Sequence, residues 1–410
     1  YDMSTLRKSI STTTNKVQES LEANDHYRVV TGIMPMLLDE DDGEDSGGGT
    51  NTFGCYGTTL FNGQEIFPDG ICDIPTSENE PRCGEDGDSA TITFMLGETD
   101  VLAVLMCTPP PVKYYSYDVD IATRLTEEYP YFPGVNFGDP ISYRNINLDD
   151  SNTTENLFDQ PVLILHAYDI DAANEVADAY VTAMGISKNS ISIRGLSNTV
   201  NYYDRTDNQT WEESEPQPDI LSFIMRVTGP YEYSYDAYKL YENITWPVQL
   251  FFNNVVHKSK NPIPTTLIGR ESSAILNERE LYIDDFNSFH SSVATQIITN
   301  YTNATYRGEV LMTYSARGFY DDWDDILAAK DNTSFILPTR DAVYGIGYCS
   351  NEDYNCYLDN KTIAVVIGLL HTPLLNASYS SVGLDLMKIT GEMLETHWLM
   401  DDDLVGSAER

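Results

Sequence analysis

Residues 161–196 read PVLILHAYDIDAANEVADAYVTAMGISKNSISIRGL, and this stretch decides the fold. Residues 162–165 form a continuous apolar run, which is typical of a strand covered on both faces. Asp171 is placed to cap a following helix, and Gly185 stands where a left-handed helix end is favoured. Residues 190–193 then predict a second strand. A strand, a helix and a strand of these lengths predict a right-handed crossover between parallel strands.

The other long segments extend this plan. Residues 363–370 form a second fully apolar run, which we expect to lie beside residues 162–165 at the centre of the sheet. Residues 281–301 carry apolar side chains at helical spacing, and a shorter helix is expected through Ile121 and Leu125. The sequence therefore predicts an α/β fold with a mixed, largely parallel sheet and flanking helices.

The domain organisation follows from the cysteines. Residues 1–107 contain four of the six cysteines among many Gly, Pro and Asp residues, so we expect a cysteine-stapled, loop-rich N-terminal layer. Residues 108–410 would form the α/β body. No linker separates the two parts, so the N-terminal layer need not fold independently.

The charge balance restricts the partners of the protein. The chain has 24 Lys and Arg against 64 Asp and Glu, a formal net charge of −40. Such a field repels nucleic-acid phosphates and anionic lipids, and no apolar run is long enough for a membrane span. Residues 39–49, DEDDGEDSGGG, are the one candidate Ca²⁺ loop. The alternative for this segment is a solvated loop, because its spacing matches no EF-hand.

Two features indicate a secreted protein. The chain contains eight N-x-Ser/Thr acceptor motifs, which predict N-glycosylation and exposed asparagines. An even number of cysteines suits an oxidising compartment. We therefore expect an extracellular glycoprotein whose signal peptide has been removed. The predicted glycosylation sites are Asn152, Asn208, Asn243, Asn300, Asn303, Asn332, Asn360 and Asn376, and the predicted disulfide cysteines are Cys349 with Cys356, and Cys55, Cys72, Cys83 and Cys107 in an open pairing.

The ends of the two apolar strands are the candidate catalytic site. His166 and Asp169 follow the first strand, and His371 follows the second. If the strands are neighbours, these groups converge and could perform acid–base chemistry. Arg226, late in another strand, could bind a substrate carboxylate. The alternative for each is structural, a helix cap or a buried histidine. No zinc-ligand spacing is present, so no metal is predicted there.

Searches for established catalytic and nucleotide motifs find nothing. The chain has no G-x-S-x-G elbow, no P-loop and no G-x-G-x-x-G in the crossover. Its 28 tyrosines concentrate at residues 114–132 and 231–241. Tyrosine gives rigid, amphipathic contact area, so these clusters favour a protein or carbohydrate interface, with a place in the core margin as the alternative.

Two short stretches carry a resemblance. They are residues 109–125, PPPVKYYSYDVDIATRL, and residues 368–383, GLLHTPLLNASYSSVG. Both resemble segments of uncharacterised secreted proteins from marine algae of the diatom type, over about a tenth of the chain. The resemblance implies an extracellular, seawater setting in which a charge of −40 is well screened. It implies no catalytic residue.

Two functions are compatible with these observations. The first is a non-enzymatic extracellular glycoprotein of a cell surface, which assembles with itself into a homo-oligomer or filament or with other extracellular components. The second is a secreted α/β hydrolase or lyase that uses His166, Asp169 and His371. The sequons, the tyrosine clusters and the missing motifs favour the first function. No cofactor is predicted for either, apart from the candidate Ca²⁺ loop.

Overall fold

The computed structural model describes residues 3–23, 25–38, 54–62, 75–77, 80–81, 90–125, 130–131, 135–136, 140–143, 145–148, 157–185, 187–196, 200–203, 218–254 and 260–264, with the strands at 310–315, 344–349, 381–387 and 393–400. The chain divides into two compact units. One contains Tyr1–Thr266 and His371–Arg410, and the other contains Leu267–Leu370.

Three α-helices are described: α1 (Met3–Glu22), α2 (Ile170–Met184) and α3 (Tyr235–Glu242). Short 3-10 turns at Lys188–Ser190 and Glu232–Ser234 precede a strand and α3 respectively. Helix α1 is amphipathic, since Ile10, Val17 and Leu21 are buried along one stripe. The helix expected at 281–301 lies outside the described residues.

The strands of the described residues are, in chain order, β1 (Tyr27–Met34), β2 (Met36–Leu38), β3 (Gly54–Thr58), β4 (Phe61–Asn62), β5 (Pro75–Ser77), β6 (Glu80–Pro81), β7 (Ala90–Thr91), β8 (Thr93–Phe94), β9 (Val101–Cys107), β10 (Val112–Leu125), β11 (Pro130–Tyr131), β12 (Val135–Asn136), β13 (Ile141–Ser142), β14 (Pro161–Ala167), β15 (Ile191–Gly195), β16 (Ile220–Pro230), β17 (Trp246–Asn253), β18 (Val310–Ser315), β19 (Tyr344–Cys349), β20 (Ser381–Met387) and β21 (Met393–Met400).

A five-stranded sheet has the order β1-β17-β9-β14-β15. The crossover predicted from residues 161–196 is confirmed, because β14 and β15 pair in parallel and α2 connects them. The expectation of a largely parallel sheet is wrong, since β14–β15 is the one parallel pair among the described strands and the other pairs are antiparallel. The described part of the chain is thus mostly sheet, with a few helices and mixed strand pairing.

Two further expectations concern the neighbours of β14. Its neighbours in the described sheet are β9 and β15, and residues 363–370, which were expected beside it, lie outside the described residues. Strand β9 comes from the first 107 residues, as does β1, which pairs with β17. The first 107 residues therefore contribute strands to the same sheet as β14 and β17, and a cysteine-stapled N-terminal layer is not shown by the described residues. Strands β9 and β1 pair with β14 and β17 over long sequence distances, and such pairing leaves no local signal in the sequence.

An eight-stranded sheet has the order β11-β10-β16-β3-β2, with β12 and β13 paired to β10 and β8 paired to β16. The short helix expected through Ile121 and Leu125 is wrong, because both residues belong to the long strand β10. Pro35 stands between β1 and β2, where the chain leaves one sheet and enters the other. A proline suits this break, since it cannot donate to a strand ladder.

Helices and the two sheets form three layers. The Tyr180 hydroxyl of α2 donates to Gln249 Oε1 at 2.5 Å, and Gln249 Nε2 donates to the Thr14 carbonyl of α1 at 3.3 Å, so both helices cover one face of the five-stranded sheet. Successive side chains of a strand point to opposite faces. His166 therefore points away from the helices, and its ring contacts Phe223 of β16. The eight-stranded sheet covers this second face.

The remaining described strands form small antiparallel pairs. These are β4 with β7, β5 with β6, β18 with β19, and β20 with β21. Among the helices that the structure describes, none is long and apolar enough to cross a membrane.

Candidate functional site

His166 lies in the core between the two sheets. It is 1% exposed, and its ring centroid lies 5.7 Å from that of Phe223 at an angle of 73°. Within the described part of the chain, neither ring nitrogen has a hydrogen-bond partner. Burial lowers the pKa of His166 to about 3, with a further contribution from the nearby Arg194 guanidinium. The imidazole is therefore neutral at physiological pH and closed off from solvent.

Asp169 fixes the start of helix α2. Its Oδ1 accepts the backbone N–H of Ala172 at 2.8 Å, and its Oδ2 accepts that of Asn261 at 2.6 Å. The N-cap is thus Asp169, and the assignment of that role to Asp171 is wrong. Asp169 has the extended backbone that a cap requires, whereas Asp171 lies in the first turn and is exposed. Both oxygens of this buried carboxylate serve the backbone.

The third predicted catalytic residue, His371, lies outside the described residues, as do Asn376 and the candidate Ca²⁺ loop at 39–49. A meeting of His166 with His371 stays a prediction. The strands that flank β14 among the described residues are β9 and β15. The structure therefore describes two of the three residues and gives each a place in the folded framework.

A row of polar side chains lies on one face of the eight-stranded sheet. Ser116, Asp118 and Asp120 alternate along β10 and are buried, with Ser222 opposite Asp120 and Arg226 opposite Ser116 on β16. Sequence reasoning treated the β10 residues as the start of a helix and so missed the row. The alternation of Asp with Val and Ile at 118–121 was the available signal. No group of three His, Cys, Asp or Glu side chains suited to a metal occurs among the described residues.

The tyrosine cluster at 231–241 is divided between the core and the surface. Tyr238 and Tyr241 are buried, whereas Tyr231 and Tyr233 are exposed. The rings of Tyr231 and Tyr233 stack with centroids 5.4 Å apart and planes 9° from parallel. We call these two residues the tyrosine pair. Tyr233 is 78% exposed, so the pair offers a flat aromatic surface to solvent.

The segment that carries the tyrosine pair is held firmly. Ser234 Oγ donates to the Pro111 carbonyl at 2.5 Å, between the pair and helix α3. The Tyr241 hydroxyl, at the other end of α3, donates to the Cys107 carbonyl at 2.9 Å. These buried contacts attach the segment to β9 and to the residue before β10. The exposed rings are therefore presented on a rigid support, which lowers the entropy lost when a partner binds.

The charge beside the tyrosine pair is locally neutralised. Lys239 Nζ lies 5.6 Å from the centre of the Tyr235 ring and 3.3 Å from a carboxylate oxygen of Glu242. A cation that already has an aromatic ring and a carboxylate within its own helix is a poor point of attachment for a polyanion. The exposed aromatic surface thus suits contact with apolar or aromatic groups of a partner better than contact with its anionic groups.

The structure also bears on the predicted covalent modifications. Cys107 has a free, buried thiol, so the bridge predicted for this residue is not found. Its place in an interior strand, opposite Pro161 of β14, surrounds it with core side chains. The side chains of the other five cysteines are outside the described set. Asn243 is the one predicted glycosylation site among the described residues, and it is exposed.

Comparisons with known proteins give no relative of this chain. No family model matches it, and neither a curated protein nor a solved structure is similar to it. The site therefore has to be interpreted from its own geometry.

Proposed function

We propose that this chain is a non-enzymatic extracellular glycoprotein, a structural component of a cell surface that assembles with copies of itself through the tyrosine pair. The observation that carries the proposal is the stacking of Tyr231 on Tyr233 at the surface. Tyr233 is 78% exposed on a firmly held segment, and tyrosine rings are enriched at interfaces. Such rings contribute much of the binding energy when they are buried in an interface.

A second copy of the chain is the partner that fits best. A two-fold contact places the same surface on both sides, so one tyrosine pair would meet another. Aromatic rings favour this kind of offset or edge-to-face contact with other rings. A nucleic acid is disfavoured by the net charge of −40, and Lys239 is already paired with Glu242. Self-association must also overcome charge repulsion, which salt screens.

The buried groups favour this function over a hydrolase or lyase. Catalysis by His166 would need contact with a substrate and a pKa near the working pH, whereas its pKa is lowered to about 3 in a closed core. Asp169 would need a free oxygen, but both of its oxygens accept backbone N–H groups. These contacts support structural roles for the two residues, and they support the non-enzymatic function.

The experiment measures the mass of the secreted protein by sedimentation equilibrium between about 0.05 and about 0.5 M salt, with and without Ca²⁺. We expect association that strengthens with salt and that weakens about tenfold or more in Tyr233→Ala. Ile92→Ala is the matched control, since Ile92 is 49% exposed on a different part of the surface. A protein that is monomeric under every condition would contradict the proposal, and so would an equal loss in both variants.

A further inference from the structure

Helix α3 ends with an exposed apolar residue beside a predicted glycosylation site. Leu240 is 68% exposed, which is high for a leucine on a helix that packs on a core. Asn243 is the C-terminal cap of the same helix and is followed by Ile244 and Thr245, which complete an acceptor motif. Leu240 and Asn243 are three residues apart, so their Cβ atoms are neighbours at about 5–6 Å on one helix face.

The acceptor atom of Asn243 lies over the last helical turn. Its Nδ2 donates to the Lys239 carbonyl at 2.8 Å, one of the carbonyls that a helix end leaves without an internal partner. This bond turns the side-chain amide back towards the turn that contains Leu240. A group attached to Nδ2 would therefore begin above that turn and not in open solvent.

We propose that Asn243 carries an N-linked glycan and that the first sugars of this glycan cover Leu240. The glycan comes from an oligosaccharide linked to a lipid diphosphate. The bond between the anomeric carbon and the diphosphate oxygen breaks, and the diphosphate leaves with the bonding electrons. The anomeric carbon forms a new bond to Nδ2, which gives up one of its two protons. The remaining N–H still donates to the Lys239 carbonyl.

Contact with the first sugars of the glycan explains why the apolar side chain of Leu240 is tolerated at the surface. Sugar rings present faces of C–H groups, which shield an apolar side chain from water as other apolar surface does. Ile244, the middle residue of the motif, is buried, and Trp246 begins β17 in the core, so the chain on the far side of Asn243 is fixed. The glycan is thus attached to the chain between the end of α3 and the start of β17. This inference rests on the proposed glycoprotein nature of the chain but not on its self-association.

The test measures hydroxyl-radical labelling of Leu240 in the wild type and in two variants, all secreted from a eukaryotic host. Glycopeptide mass mapping of Asn243 is the second readout. Thr245→Ala removes the motif and keeps Asn243, whereas Thr245→Ser retains the motif and is the matched control. We expect a glycan on Asn243 in the wild type and in Thr245→Ser. We also expect Leu240 labelling to rise severalfold in Thr245→Ala, with labelling of the exposed Ile33 and Ile92 unchanged.

Two results would overturn the proposal. One is an unmodified Asn243 in the wild type, and the other is equal Leu240 labelling in Thr245→Ala and Thr245→Ser. If Thr245→Ala is not secreted, Asn243→Gln removes the acceptor itself and gives the same comparison against the wild type. Both readouts can be measured on a monomer or on an oligomer, so they remain valid if the chain does not self-associate.

Discussion

The imidazole of His166 contacts the ring of Phe223 edge-on, and this contact joins the five-stranded sheet to the eight-stranded sheet. The two residues come from β14 and β16, which belong to different sheets. The contact is apolar in character because the imidazole is neutral and closed off from solvent. His166 therefore behaves as a core aromatic residue that can also be protonated when the protein unfolds.

The first prediction concerns acid stability. The folded pKa of His166, about 3, is below the ordinary value of 6.5, so the unfolded chain binds the proton first. Its contribution to stability is complete above pH 6.5 and is lost as the pH falls from 6.5 towards 3. We expect His166→Leu to flatten this part of the stability curve and to leave stability near neutral pH unchanged or higher. Urea unfolding at several pH values measures this, with the exposed His26→Gln as the control.

The second prediction compares two neighbouring aspartates. Asp169→Ala removes the cap of α2 and the bond to Asn261, so it should cost about 2 kcal/mol of unfolding free energy. Asp171→Ala removes only an exposed charge from the first turn and should cost about 0.5 kcal/mol. Chemical denaturation of both variants checks the difference. Equal losses would mean that the Asp169 contacts add nothing to stability.

The third prediction concerns a buried ion pair. Arg124 Nε and Nη2 donate to the two carboxylate oxygens of Asp219 at 2.8 and 2.6 Å, and the Asp219 side chain is fully buried. Arg124→Ala leaves that charge without its main partner and should cost about 3 kcal/mol or more.

The double variant Arg124→Met with Asp219→Asn tests the cause of that loss. It removes both charges but keeps an oxygen for the Asn201 N–H, which Asp219 Oδ2 accepts at 2.9 Å. We expect it to recover most of the stability in a double-mutant cycle. A double variant that is as unstable as Arg124→Ala would show that lost packing, and not a buried charge, is responsible.

The fourth prediction concerns Cys107. Burial, with a smaller contribution from Asp159, raises the pKa of its thiol to about 12. The reactive thiolate is therefore scarce at pH 8, and the core excludes reagents. Iodoacetamide should leave Cys107 unmodified in the native protein and alkylate it after unfolding without a reductant, as peptide mass mapping can show. A Cys107 that needs reduction before alkylation would instead belong to the disulfide that the sequence predicts.

Local patterns account for the parts of the fold that were predicted. The apolar run of β14 and the helical spacing of α2 are properties of short segments, and the crossover follows from them. Strand β10 was missed although Asp alternates with Val and Ile at 118–121, because both faces of the strand are buried there and a buried row of aspartates is not the pattern of a half-exposed strand. The place of β9 between β14 and β17 depends on contacts between distant segments, which no local pattern encodes.

The candidate surface was predicted as a region and not as residues. The tyrosine cluster at 231–241 indicated an interface, but Tyr238 and Tyr241 are core residues and Tyr231 and Tyr233 are not. Tyrosine suits both environments, since its ring can be buried and its hydroxyl can bond to water or to the backbone. Only the attachment of α3 to β9 determines which rings face outward.

The pairing of β1 with β17 determines when the five-stranded sheet can form during synthesis of the chain. Tyr27 lies opposite Asn253, more than two hundred positions later, and in the described sheet β17 is the strand that connects β1 to the rest. During synthesis, α1 and β1 leave the ribosome long before the strand that they need. The five-stranded sheet closes only after Asn253 has been added. In a nascent chain that stops short of Trp246, β1 lacks its partner strand in this sheet and is open to contact with chaperones or other chains.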